Sequence, residues 1–135
     1  MTHVELVRVE ALADTAPYAY AAVANGAPLV FTAGACPLDE DGAIVAIGNV
    51  TDQTTQVMAN LAAALEASGC GLTDVVKSTV YVVTDDRDDL LAAWAVVREA
   101  FGQHDAPSTL LGVSVLGYPG QRVEVEAVAV RPDGH

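Results

Sequence analysis

Positive charge is what this chain has least of. Six lysines and arginines stand against eighteen aspartates and glutamates, a formal charge of −12 over 135 residues. Such a surface repels a phosphate backbone, and no basic patch is interleaved with aromatics, so nucleic acid is not expected as a partner. Cysteine is scarce as well. Cys36 and Cys70 do not make a disulfide framework, and a reducing, cytoplasmic compartment is the simplest setting. The three histidines, His3, His104 and His135, keep no metal-ligand spacing with either cysteine, so neither zinc nor another cofactor is expected. No apolar run is long enough to span a bilayer, and Met1 to Leu6 lacks the basic flank and apolar core of a signal peptide, so no membrane role is expected.

What the chain does have is apolar residues, 52% of the total, which suits one domain over residues 1–135 with a real core. Its C-terminal part is two β-rich segments, Pro107 to Val115 and Val123 to Val130, flanking a turn punctuated by Gly117, Pro119 and Gly120. The second segment starts with Val123, Val125 and Ala127 on one side and Glu124 and Glu126 on the other, then turns wholly apolar. Upstream, Val4 to Val9 reads as a first strand, Asn25-Gly26 as a hairpin-turn pair and Leu29 to Ala33 as a strand. Gly34 to Gly42 reads as a loop, and Ala43 to Val45 as a short strand. Thr51 to Ser68 is the clearest helix, capped by Thr51 or Asp52, with Val57, Leu61 and Leu65 on one face and Gly69 as its stop. Val75 to Val83 is a β-branched strand. A second helix follows, capped by Asp88 or Asp89, with Leu90, Trp94, Val97 and Phe101 on one stripe and Gly102 at its end.

This order predicts a single α+β domain, a mixed sheet with both helices on one face. The other face is too apolar for water, since Val113, Val115, Val128 and Val130 cannot all point at the helices. A symmetric homo-oligomer that buries it follows as an expectation.

Several pieces, in this order and spacing, resemble the RidA/YjgF family of reactive intermediate deaminases, whose older name is endoribonuclease L-PSP. They are Ala16-Pro17-Tyr18, Phe31-Thr32-Ala33-Gly34 with Pro37-Leu38-Asp39, Ala67-Ser68-Gly69, Leu72 to Val82, Phe101, Pro107, and Val123 to Val130. The resemblance covers nearly the whole chain. It implies a chorismate-mutase-like fold, a homotrimer with a central barrel of sheets, and small-molecule sites in the clefts between subunits. It also implies hydrolysis of reactive enamines and imines to keto acids and ammonia. In active members an arginine two residues after the loop proline clamps the substrate carboxylate through a planar bidentate match. Here that position is Thr109, and no basic residue replaces it in sequence. Ala33 stands where a small hydroxyl is usual, Ala35 where a glutamine is usual, and Trp94 at a position often filled by asparagine. The chain thus resembles an arginine-less branch, with weak or no activity on 2-imino acids.

The resemblance makes Glu124 the catalytic candidate, as the acid/base that works with the hydrolytic water. A strand carboxylate paired with Arg122 or with a neighbour's arginine is the plainer alternative, and Glu126 is read as structural. Ligand-binding candidates are Tyr18, Ala33, Gly34, Cys36, Trp94, Ser108 and Thr109. Each has a bland counterpart: an interface aromatic for Tyr18, core packing for Trp94, loop residues for Ser108 and Thr109. Cys36 would need a cationic neighbour to act as thiolate. Two other functions stay open on these residues: a non-catalytic metabolite-binding or regulatory trimer, and a specialised biosynthetic enzyme.

Overall fold

The structure is a computed structural model and describes residues 3–132. The first helix, α1 (Val50–Ala67), begins one residue before the expected cap. Asn49, extended at φ −116, accepts the Asp52 backbone N–H, so it and not Thr51 or Asp52 closes the N-terminus. The earlier start buries Val50 in line with Val57, Met58, Leu61 and Leu65. At the other end Gly69, at φ +83, takes the left-handed turn expected of it, and the Cys70 N–H reaches back to Leu65 O. The second helix, α2 (Arg87–Phe101), is likewise capped two residues before the first expected position. Asp86 accepts from the Asp88 N–H, while Asp88 and Asp89 fall in the first turn, where their charge suits the helix dipole.

Six strands complete the chain: β1 (Val4–Val7), β2 (Ala21–Ala24), β3 (Leu29–Phe31), β4 (Val75–Val83), β5 (Ser108–Val113) and β6 (Val123–Val130). The main sheet runs β3-β6-β4-β5, with β4 and β5 parallel and the other pairs antiparallel. A parallel pair needs a crossover, and α2 supplies it. Strands β1 and β2 form a separate antiparallel ribbon. The Asn25-Gly26 turn therefore joins strands of two different sheets and closes no hairpin. Ala43 to Val45 is not a strand but a single bridge, Leu38 to Ile44. The first strand stops at Val7, and the segment after Pro107 stops at Val113, which leaves Val115 beyond the sheet and 76% exposed.

Alternation decides the layers. Val80 and Val82 of β4 and Val123, Val125, Ala127 and Ala129 of β6 are buried under α1 and α2. The opposite face carries Lys77, Thr79 and Tyr81 of β4, Glu124, Glu126 and Val128 of β6, and Thr109 and Leu111 of β5. Phe31, across from Val128, is 71% exposed on this uncovered face. The α+β architecture with both helices on one side is thus as expected.

Candidate functional site

Glu124 projects from β6 on the face the helices leave open. Next to it, the segment after β3 crosses β6 through one bridge: Ala35 N donates to Val125 O (2.7 Å) and Val125 N to Ala35 O (3.1 Å). That bridge sets Gly34 and Cys36 on either side of the Glu124 carboxylate. Helix α1 fixes the segment, because the Asn60 side-chain amide donates to Cys36 O (2.8 Å) and Leu38 O (2.9 Å). A Cβ on residue 34 would stand 2.0 Å from Glu124 Oε2, so only glycine leaves the carboxylate where it is.

The other carboxylate oxygen, Oε1, accepts from Cys36 Sγ (3.4 Å) and from Gln121 Nε2 (3.1 Å). Burial first, then the hydrogen bond to Glu124 and its charge, push the Cys36 thiol above its usual range; the Gln121 amide opposes them. Cys36 is held as a thiol facing a carboxylate, the reverse of a nucleophile's surroundings. Gln121 is a site residue that sequence reasoning missed. It follows the Gly117-Tyr118-Pro119-Gly120 turn, where a buried amide leaves no periodic signal.

Tyr18, Trp94 and Ser108 come together elsewhere. With Leu110 they line a cavity of about 230 Å³ at the β5 edge of the sheet. The Ser108 hydroxyl is already engaged, bonded to the Ser78 hydroxyl and donating to Ala106 O (3.1 Å). The cavity therefore presents indole, phenol and leucine surface. Tyr18 is steadied by Tyr20, ring edge to ring face at 5.9 Å, and by Arg8, which donates to the Tyr18 carbonyl and pairs with Asp105 at 2.6 Å.

Thr109 occupies a third place. Its hydroxyl accepts from Lys77 Nζ at 2.6 Å, beside a cavity of about 240 Å³ lined by Phe31, Thr32, Lys77, Thr79 and Glu126. A cation thus does reach Thr109, from β4. The parallel register, Thr79 opposite Thr109, brings it there, and a single sequence does not show that register. Ala33 lies exposed between Thr32, which pairs with Ala127, and Gly34.

Arg122 does not pair with Glu124. Its guanidinium binds Asp89 Oδ2 (2.9 Å) and Val83 O (3.0 Å). The Thr84 hydroxyl first, and then Arg122, hold the Asp89 carboxyl below the usual range. Glu126 accepts from the Tyr81 hydroxyl, and that bond pushes the phenol up. His104 is tied to Val75 O (2.8 Å) and leans on Phe101, away from all three places. Among the described residues no group of three or more His, Cys, Asp or Glu is gathered as a metal would require. No helix among them is long and apolar enough to cross a membrane.

The family model for Endoribonuclease L-PSP matches residues 9–131. A RutC family protein of Synechocystis is 38% identical over 134 residues, covering 98% of this chain and 99% of that one. A 2-iminobutanoate/2-iminopropanoate deaminase of Salmonella typhimurium is 33% identical over 123 residues, 87% of this chain and 94% of its own. Among solved structures, a Rid-family protein of unknown function from Yersinia pestis superposes with a TM-score of 0.89 at 26% identity, covering 96% and 99% of the two chains.

Proposed function

This chain belongs to the endoribonuclease L-PSP family, to which the RidA/YjgF proteins belong, and from that premise we propose that it hydrolyses a small imine or enamine. The observation that carries the reading is Glu124: a half-exposed carboxylate with no cation on it among the described residues, seated against a glycine that leaves it room. In the proposed step Glu124 takes a proton from water as the water oxygen bonds to the C=N carbon, and returns that proton to the nitrogen, which regenerates the carboxylate. The carbinolamine then loses ammonia to leave a carbonyl. An enamine enters the same path after protonation at carbon.

Among the described residues of one protomer the Glu124 group and the Tyr18–Trp94–Ser108 cavity share no lining residue and no hydrogen bond. We place them opposite one another across the subunit boundary of a cytoplasmic homotrimer, each cleft built from two chains. The uncovered sheet face, with Phe31 and Leu111 exposed, supports such an assembly. Light scattering is expected to give three times the protomer's 13.9 kDa, and Phe31→Asp to reduce it to that of one protomer. A trimer that survives this substitution would place the interface elsewhere.

Carboxylate-bearing substrates are expected to react weakly. The Lys77 ammonium on Thr109 is a point charge and not a planar fork, so it attracts a carboxylate without orienting it bidentately. The test is ammonia release from imines generated in situ from amino acids, with 2-imino acids at least about ten-fold slower than imines lacking the carboxylate. A rate on 2-iminopropanoate matching the Salmonella deaminase would show that Thr109 carries less weight than argued. Thermal stabilisation by such compounds without turnover would identify a binding protein.

A further inference from the structure

We propose that Gln121 is the positioning residue of Glu124, holding Oε1 so that Oε2 is the oxygen left to exchange protons with water. The inference rests on the role given to Glu124 above. Gln121 is only 4% exposed, and each polar atom of its side chain has a partner. Its Oε1 accepts from the Tyr118 backbone N–H (3.1 Å), which can only donate, so the amide's orientation is assigned. Its Nε2 donates to Val123 O (3.1 Å) and to Glu124 Oε1 (3.1 Å). The first two bonds close the turn between Tyr118 and Val123. The third does nothing for the turn and ends on the candidate acid/base.

The geometry at the carboxylate is one-sided. A carboxylate oxygen has two lone-pair directions, and Gln121 and Cys36 take both on Oε1. Oε2 lies over Gly34 with no donor on it among the described residues. One oxygen anchors the side chain and the other stays free. Gln121 is itself held in place, because Gln53 of α1 donates to Gly120 O (2.9 Å) and accepts from Arg122 N (2.8 Å) on either side of it. The carboxylate is thereby referenced to the long helix, the most rigid kind of support for a reacting group.

Two variants test this through the Cys36 thiol, whose alkylation rate reads its surroundings without any turnover. Gln121→Met keeps the length and removes the donor. Glu124→Gln keeps the shape and removes the charge. Iodoacetamide labelling at pH 8, with Cys36 resolved from Cys70 by peptide mass, is expected to speed up by about three-fold or more in Glu124→Gln, which removes the charge, and in Gln121→Met, which lets the carboxylate leave the thiol, with no further gain when the two are combined. A residue that only closes the turn would expose the thiol whatever stands at position 124, so an unchanged rate in Gln121→Met, or a gain that persists in the Glu124→Gln background, overturns the proposal. In the imine assay Gln121→Met should lower kcat by about ten-fold with KM within about two-fold. An unchanged kcat with a raised KM also overturns it. If the native protein turns over no imine, the hydrolase reading fails by itself, while the labelling of the two single variants and their combination still decides whether Gln121 holds the carboxylate.

Discussion

Gly34→Ala is expected to remove nearly all imine hydrolysis from a protein that still folds. The new methyl would lie 2.0 Å from Glu124 Oε2, 2.5 Å from its Cδ and 2.7 Å from its Cγ. None of these approaches is tolerable, and the carboxylate must swing away. The glycine is not in the left-handed region, so the backbone accepts alanine and the conflict is confined to one flexible side chain. The stability loss should therefore be modest, about 1 kcal/mol, for the two hydrogen bonds on Oε1 that the move breaks. The loss of rate should be far larger, about 10²-fold, because a displacement of roughly an ångström spoils proton transfer. A double-mutant cycle separates the two effects. In a Glu124→Ala background the alanine at 34 meets no carboxylate, and its cost in thermal unfolding should largely vanish. Near-native kcat in Gly34→Ala would mean that the seat of Glu124 is irrelevant to turnover.

Glu124→Gln should lower kcat by about 10²- to 10⁴-fold, the range for loss of a general acid or base. The amide keeps the shape and can still accept from Gln121 and Cys36, so melting temperature and oligomeric mass should stay near native. KM should change little, since the substrate's remaining contacts are assigned to the Tyr18–Trp94 cavity. The two variants differ in a useful way: one moves the carboxylate, the other leaves it in place and removes its proton chemistry. If Glu124→Gln retains native kcat, Glu124 is a structural carboxylate and the family scaffold serves binding in this chain.

Much of this architecture is legible in the sequence where a period is long enough to be unambiguous. Val57, Leu61 and Leu65 announce α1, and the alternation from Val123 to Ala127 announces β6. Short elements are not legible. Ala21–Ala24 forms β2 because the β1 backbone offers it a ladder, not because four small residues prefer a strand. The helix caps are not legible either, because several capping residues compete at each N-terminus, and backbone geometry picks Asn49 and Asp86. The site shows the same division. Glu124, Gly34 and Cys36 are candidates on the sequence, and the Ala35–Val125 bridge brings them together, but Lys77 and Gln121 enter only through strand register and a turn. Thr109 is the instructive case. Read alone it is the loss of a charge, whereas read beside β4 it is a hydroxyl with an ammonium on it.

The strand order has a consequence for how the chain is made. In the order β3-β6-β4-β5, the inner strand β6 is the last of the sheet in sequence and leaves the ribosome after all its neighbours. Until then β3 has no partner in the sheet, and the Val-rich β4 waits with one edge open. A nascent chain at that stage offers foreign strands the template that β6 will fill, the condition in which β-rich intermediates associate wrongly. Val123–Val130 closes that window, and because it carries Glu124, the same late event that completes the sheet also delivers the acid/base.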